Sequence, residues 1–510
     1  MNWTDGYHSE TVYTKGLHTE QLPGAMRLVL ALAGRSVGSL GNGQFRFCEL
    51  GFGRGLTATA VAAAFPQARV YANDFNPSHV LEARALGQDA GLDNLQFFEE
   101  DFAAFAALDL PAFDVISLHG IYSWVSPKQR GVIREFVHRK LKPGGICYVS
   151  YNALPGWSSL LPLRRLVAEV AQGQTGKPAA ERVANGMALL QALKSANAGF
   201  FQSSLSAAAW VESIAKKDPA YLSHELLNAH SQPEHFVDIA RDFADIRLNF
   251  ACSAFAVDHL VGGFLSETQR RLLQGIADPV RRETLRDFVL NQQFRRDLFQ
   301  KGDGPLSRAE REAAMLSLRF ARTLPAGRLI LAKLVAYGEL KLNAEHCQPV
   351  MAALQPSPLS VVELLAVKAV GGMGLAQLMD TLFALVATGQ CAPALSPSEQ
   401  EDARAGCDRL NLQILLRNDT PQACHVLVSP VTGKGVAADR VAQWFLLAGK
   451  RQHVDPVAYV MERLAASDNP VLEHDGQRMD DPQALRAEVV RRHQYFQQQL
   501  LPLYGYLQVV

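Results

Sequence analysis

From Phe45 to about Tyr151, short apolar runs alternate with longer mixed stretches, and the hydrophobic period switches between two and about 3.6. The pattern predicts a first strand opening at Phe45, then strands at Ala68–Asp74, Leu95–Glu99, Phe113–Leu118 and Ile146–Tyr151. Helices over Thr57–Phe65, His79–Ala90 and Lys128–Lys140 fall between them, and Pro23–Leu32 predicts another before the first strand. Strand and helix in strict alternation are the signature of an α/β fold with a doubly wound parallel sheet. From Ser158 the alternation stops. Residues 158–240 read as Ala- and Leu-rich helices, broken near Gly173–Pro178 and at Asp218-Pro219, with Tyr221–Glu225 opening a further helix. Ile246–Cys252 returns to the sheet, and Phe294–Gln300 reads as a last, antiparallel strand.

This organisation predicts an N-terminal cap and sheet core over 1–157, a helical insert over 158–240, the end of the core over 241–304 and a mostly α-helical C-terminal region over 305–510. Within the last part, residues 357–395 hold two apolar-periodic helices and a Gly-containing end, a pattern that suits a winged-helix module. Asp481–Leu501 reads as a charged helix docking through its apolar face.

Composition narrows the class. At 510 residues the chain exceeds one compact core. Lys+Arg and Asp+Glu are both 50, so a polyanion-coating or membrane-surface role is disfavoured, as is a nucleic-acid partner. Seven dispersed cysteines without a C-x-x-C pair read as thiols in a reducing compartment, not as disulfides or a metal site. No apolar run approaches the roughly 20 residues of a membrane span, and the polar N-terminus carries no leader, so the expectation is a soluble, cytoplasmic protein.

The candidate chemistry begins at Glu49-Leu50-Gly51-Phe52-Gly53-Arg54-Gly55. Glycines at a strand-to-helix turn let the backbone approach a ligand, and the helix start behind them offers N–H groups to an anion. Leu56 stands where a dinucleotide fingerprint wants its third glycine; with Glu49 just ahead of Gly51, this points from NAD toward S-adenosylmethionine. The second strand ends at Asp74, placed to accept from both ribose hydroxyls, with the alternative that it caps the next helix; Phe75 follows it into the cofactor set. Asp101 and Phe102, after strand three, are candidates for the adenine amino group and ring, with a surface carboxylate as the alternative for Asp101. Tyr7 and Tyr13 belong either to a cap or to a flap over the cofactor, and Tyr13 is placed in the cofactor set. Strand four delivers His119, Tyr122 and Trp124 to the ligand edge, and strand five delivers Tyr151 and Asn152. His224 and Glu225 are either a helix-start pair or residues that roof the site.

These motifs resemble the class I S-adenosylmethionine-dependent methyltransferases, and within them the bacterial group with a methyltransferase regulatory domain, which includes lysine methyltransferases acting on outer-membrane surface proteins. The resemblance rests on ELGFGRG (49–55), HGIYSWV (119–125), SYNALPGW (150–157) and YLSHELLN (221–228), the second and third being the most specific. Phe52, Arg54 and Leu226 depart from the group's usual residues. The resemblance implies methyl transfer by in-line displacement, with His119, Tyr122, Trp124, Tyr151 and Asn152 at the chemistry. It implies an acceptor lysine on a protein, such as an outer-membrane or surface protein. A small-molecule methyltransferase and a non-catalytic cofactor-binding scaffold are the alternatives, and a homodimer stays open. The strand-four tip lacks the Asn/Asp-Pro-Pro-aromatic pattern of nucleobase-amine enzymes.

Overall fold

The computed structural model describes residues 5–7, 16–174, 176–214, 217, 219–302, 304–419, 423–467, 472–474, 477–479 and 481–510. Its first part runs α1 (Pro23–Leu32), β1 (Arg46–Leu50), α2 (Leu56–Ala64), β2 (Arg69–Asp74), α3 (Pro77–Asp89), β3 (Leu95–Glu99), α4 (Phe102–Ala107), β4 (Phe113–Leu118), α5 (Pro127–Lys140) and β5 (Leu141–Asn152). Helices follow: α6 (Leu161–Gln172), α7 (Ala179–Ser195), α8 (Gly199–Ser203), α9 (Leu205–Ile214), α10 (Pro219–Leu227) and α11 (Phe236–Ala244). Then come β6 (Leu248–Ser253), α12 (Glu267–Gln274), α13 (Pro279–Leu290) and β7 (Phe294–Lys301).

The seven strands form one sheet in the order β3-β2-β1-β4-β5-β7-β6. Strands β1 to β5 are parallel, and β7 runs antiparallel between β5 and β6. The strand order reverses between β1 and β4, which opens a crevice at their carboxyl ends, where such sheets receive ligands. Strand β5 starts five residues earlier than its hydrophobic run predicts. Leu141 pairs with Phe113 across a register shift, so the Lys142–Gly145 segment enters the sheet as an irregularity instead of forming a separate turn. Helices α6 to α10 pack around their own apolar centre, which includes Leu163, Val167, Leu190, Val211 and Leu226.

The C-terminal part holds α14 (Arg308–Ser317), β8 (Arg319–Arg322), β9 (Ala332–Val335), β10 (Gly338–Lys341), α15 (Ala344–Ala353), β11 (Leu359–Ser360), α16 (Val361–Ala366), α17 (Gly374–Ala387), β12 (Cys391–Ala394) and α18 (Pro397–Leu416). It continues with β13 (Val426–Val428), β14 (Gly435–Ala437), α19 (Arg440–Lys450), α20 (Pro456–Ala465), the hairpin β15 (Leu472–His474) and β16 (Gln477–Met479), and α21 (Pro482–Tyr495), and ends with α22 (Leu501–Tyr506). The two helices expected in 357–395 are α16 and α17. The Gly-containing end that read as a wing is a turn into β12, which pairs with β8 and closes a small sheet, β11-β8-β12. The hairpin of this region, β9–β10, lies ahead of those helices. Gln390 pins the turn, donating to the Ile330 carbonyl and accepting from the Ile330 N–H. Among the described residues no helix is long and apolar enough to cross a membrane. All seven cysteines are buried, with no disulfide between them.

One contact ties the two parts together. Every residue of α2 is buried, because the sheet covers one side and α18 the other. The approach is close enough that a Cβ on Gly406 would stand 2.5 Å from the Ala63 carbonyl oxygen. Arg409 donates to the Ala90 carbonyl at 2.8 Å, and Arg27 pairs with Glu399 at 2.8 Å, fastening both flanks of α18. A helix that is apolar all round is stable only when covered all round. Gly406→Leu should therefore cost on the order of 3 kcal/mol of unfolding free energy. Chemical denaturation checks this, with Asp402→Leu, an exposed position on the same helix, as a control within about 0.5 kcal/mol of the parent.

Candidate active site

The Gly-rich turn links β1 to α2, and all three glycines are left-handed, at φ +68° (Gly51), +58° (Gly53) and +73° (Gly55). They serve different ends. A Cβ on Gly51 would collide with Ile121 from the β4 tip, and one on Gly55 would stand 2.6 Å from the Ala83 Cβ. A Cβ on Gly53 would meet nothing within 4 Å, so that residue faces open space on the ligand side. The turn is pinned to β2, since the N–H groups of Gly51 and Phe52 donate to the Asn73 carbonyl at 2.8 and 3.2 Å. The family departures have local causes. Phe52 packs against Phe97 with centroids 4.8 Å apart, and Arg54 forms a two-point pair with Glu82 at 2.7–2.8 Å.

Two acids face this turn. Glu49 is buried, accepts from the Ala58 N–H at the start of α2, and leaves Oε2 without a partner. Burial, reinforced by nearby Asp74, pushes its carboxyl up to about 8 despite that hydrogen bond. Asp74 accepts from the Gly53 N–H (2.8 Å) and the Asn76 N–H (2.9 Å), and His79 Nδ1 lies 3.3 Å away. Asn76, not Asp74, caps α3 by accepting from the Ser78 N–H. Asp101 lies at the β3 tip, exposed, and caps α4 by accepting from the Ala104 N–H at 2.8 Å. Phe102 reaches within 4.0 Å of where a Gly51 Cβ would stand. Tyr13 lies outside the described residues.

The tips of β4 and β5 present two faces. On one, His119 Nδ1 is 2.8 Å from the Tyr148 hydroxyl, and its ring stacks on His18 at 3.7 Å. Phe294 stands edge-on at 5.9 Å. Ser150 accepts from the Gly120 N–H at 2.8 Å, and buried Asn152 keeps an unpartnered Nδ2. Burial, and then the charges of His18 and Arg296, hold His119 well below the usual histidine range, so its imidazole is neutral. On the opposite face the hydroxyls are engaged: Tyr122 donates to Asp242 at 3.2 Å, and Tyr151 to Asp297 at 2.6 Å. Trp124 packs edge-on to Trp157 at 6.2 Å, with Arg164 above it.

The helical insert reaches over this edge. Tyr7 stands between Phe75 and His224, at 5.7 and 5.8 Å, and the Ala229 N–H donates to the Gly6 carbonyl at 2.9 Å. Glu225 is pushed up to about 7 by burial, against a hydrogen bond from Tyr221 and the charge of Arg164. His18, Tyr148, Ser150, Phe294 and Arg296 were absent from the sequence candidates. Period-two alternation along β5 points to Tyr148 and Ser150, which share a face with Asn152; nothing local in the sequence marks His18.

A turn with an open glycine, a buried carboxyl with one oxygen unpartnered beside a helix start and a second carboxylate at the next strand tip fit S-adenosylmethionine, which carries a cation, a carboxylate and a ribose. Comparisons with known proteins agree. A family model described as "Methyltransferase domain" matches residues 47–145, and one described as "Predicted methyltransferase regulatory domain" matches 218–301. An uncharacterized protein of Synechocystis, sll1526, is 34% identical over 457 residues, covering 89% of this chain and 90% of that one. An uncharacterized protein of Rickettsia prowazekii, RP789, is 25% identical over 268 residues, covering 52% and 47%. Among solved structures, PKMT2 from Rickettsia typhi in complex with AdoHcy superposes with a TM-score of 0.71 at 18% identity, covering 98% of this chain and 100% of that one. Fold and site thus define a class I S-adenosylmethionine-dependent methyltransferase, an enzyme whose cofactor is S-adenosylmethionine. The chain belongs to the family, shared with sll1526, in which that core is joined to a methyltransferase regulatory domain.

Titration calorimetry should give at least tenfold weaker cofactor affinity for Gly53→Trp and for Asp74→Ala. A cationic ligand favours the Glu49 carboxylate, which in the free protein forms only as pH rises toward about 8. Cofactor affinity should therefore rise from pH 6 to about 8 with net proton release, and Glu49→Gln should flatten that rise.

Proposed function

We propose that this methyltransferase acts on the ε-amino group of lysine in a protein. The observation that carries the reading is the neutral imidazole of His119, stacked on His18 at the β4 tip. An acceptor lysine arrives as an ammonium and must lose a proton before it can act as a nucleophile; a site poor in water lowers the ammonium's own pKa, and the uncharged His119 adds no positive charge against the acceptor and can pass the proton on. The full-length likeness in fold to PKMT2 supports the same reading.

In this reading the turn glycines, Glu49, Asp74 and Phe75 hold the methionine and ribose portions, while Phe102 and Asp101 flank the adenine. Asp101 spends one lone pair on its helix cap and keeps others for an amino group. The bound cofactor supplies an electrophilic methyl carbon on a sulfonium. The chain orients the amine in line with it, and the free Asn152 Nδ2 is placed to steer the acceptor. Tyr122 and Tyr151 hold the strand tips through Asp242 and Asp297, and Trp124 anchors the insert.

Incubating the protein with tritium-labelled cofactor and cell lysate tests the reading: label is expected in a protein band at lysine. Label confined to the soluble pool would indicate a small-molecule acceptor, and binding without transfer a scaffold. His119→Gln should lower kcat by roughly 10²-fold or more. Tyr151→Phe should instead cost about 1–3 kcal/mol of stability, since Asp297 loses a buried donor, with a smaller effect on kcat.

A further inference from the structure

The N-terminal segment, the loop after β6 and the C-terminal region enclose a cavity of about 110 Å³. A cavity of roughly 150 Å³ admits benzene, so this one takes a somewhat smaller ligand. Apolar groups form most of its wall, among them Leu28 of α1, Phe255 after β6, Val386 of α17 and Pro393 of β12. Phe255, Val386 and Pro393 stay partly exposed, so the cavity meets solvent. None of the residues assigned above to the cofactor or to the methyl acceptor lines it.

Two opposite charges enter this space: Glu20 from the N-terminal segment, and Lys434 from the turn between β13 and β14. Each is anchored on its own wall. The Lys434 carbonyl accepts from the Ser429 N–H at 2.9 Å, and its N–H donates to the Thr432 hydroxyl at 3.2 Å. Glu20 Oε1 lies 3.7 Å from Nε of Arg296, and its Oε2 accepts from the Thr19 hydroxyl at 3.4 Å. The Lys434 side chain is half-buried, and among the described residues its ammonium forms no ion pair and no hydrogen bond. Burial lowers its pKa, with the charge of Glu20 acting against that. Lysines withdrawn from water are usually paired. Here a cation and an anion share one apolar cavity without meeting. The first turn of α1, which has no side-chain cap, lines the cavity too, and the positive end of a helix dipole favours an anion.

The cavity is separate from the chemistry. The Arg296 guanidinium stacks on Phe255 at 4.3 Å and on Phe294 at 5.0 Å, and Phe294 in turn stands 5.9 Å from His119. Arg296 and Phe294 therefore wall the cavity off from His119, and a molecule bound in it cannot receive the methyl group.

We infer that this cavity is an accessory binding site for a small aliphatic α-amino acid. The ligand's ammonium meets Glu20, its carboxylate meets Lys434 and the start of α1, and its hydrocarbon side chain fills the apolar wall. A zwitterion suits the cavity better than an ion of one sign. A simple amine brings a like charge beside Lys434, and a simple carboxylate brings one beside Glu20. The site holds whichever acceptor the enzyme methylates.

The test is ligand-observed NMR titration of the full-length protein with L-2-aminobutyrate. Saturating S-adenosylhomocysteine is present throughout, so that the cofactor site is filled. Saturable binding is expected, and butyrate and n-propylamine, which each lack one of the two charges, should bind about tenfold more weakly or worse. That comparison uses the parent protein alone, so it stands even where a variant fails to fold. Lys434→Gln should weaken 2-aminobutyrate by a similar factor and leave propylamine no weaker, since a like charge is removed. Glu20→Gln should do the same and leave butyrate no weaker. Absence of saturable 2-aminobutyrate binding would overturn the proposal, as would equal affinity for the three probes. Affinity for 2-aminobutyrate unchanged in both folded variants would place the ligand elsewhere and overturn it too.

Discussion

The burial of α2 on both sides is the constraint from which most of this structure follows. Its nine residues, Leu56–Ala64, are too uniformly apolar to form a surface helix, and the sheet can cover only one side. The other side belongs to α18, which lies more than 300 residues further along the chain and approaches through Gly406. The helix that begins at the cofactor turn is consequently held between the catalytic sheet and the C-terminal region. Movement of α18 has to be felt at the turn, because α2 has no free face on which to absorb it.

A second anchor sets the tips of β4 and β5. Arg295 in β7 is buried with Asp287 of α13 and with Asp297, at 2.6 and 2.8 Å, and Asp297 also receives the Tyr151 hydroxyl. Burial, opposed by the charges of Arg295 and Arg286, pushes the Asp287 carboxyl up to about 7, and its Oδ2 is left without a hydrogen-bond partner. Breaking such a cluster is costly because it strands a buried charge. Tyr337, in the turn between β9 and β10, reaches Asp258 and Gln292 in the same neighbourhood, so this network also joins the C-terminal region to the core.

These two anchors divide the labour at the strand tips. The face toward α13 and α11 is spent on holding β4 and β5 in place, which is why the tyrosines there are engaged. The face toward the N-terminal segment keeps the neutral His119, the stacked His18 and the open amide of Asn152. The chemistry proposed here uses only the second face.

The doubly wound sheet, the Gly-rich turn and the acid at the β2 tip were legible in the sequence because each depends on local periodicity or on backbone angles that few residues adopt. So was the family, through motifs that span a strand tip and the loop after it. Strand alternation says that Tyr151 and Asn152 point to opposite faces, but not which of them is engaged by the core. Packing decides that: the Tyr151 hydroxyl is held by Asp297, and the Asn152 amide keeps an unpartnered Nδ2. His18 and Phe294 are brought to His119 by contacts across more than 100 residues, and no local pattern records a long-range contact. Local sequence determined the cofactor and the scaffold of this protein, because backbone geometry is local. Tertiary structure alone decided which side chains surround His119, because His18, Tyr148 and Phe294 come from three separate parts of the chain.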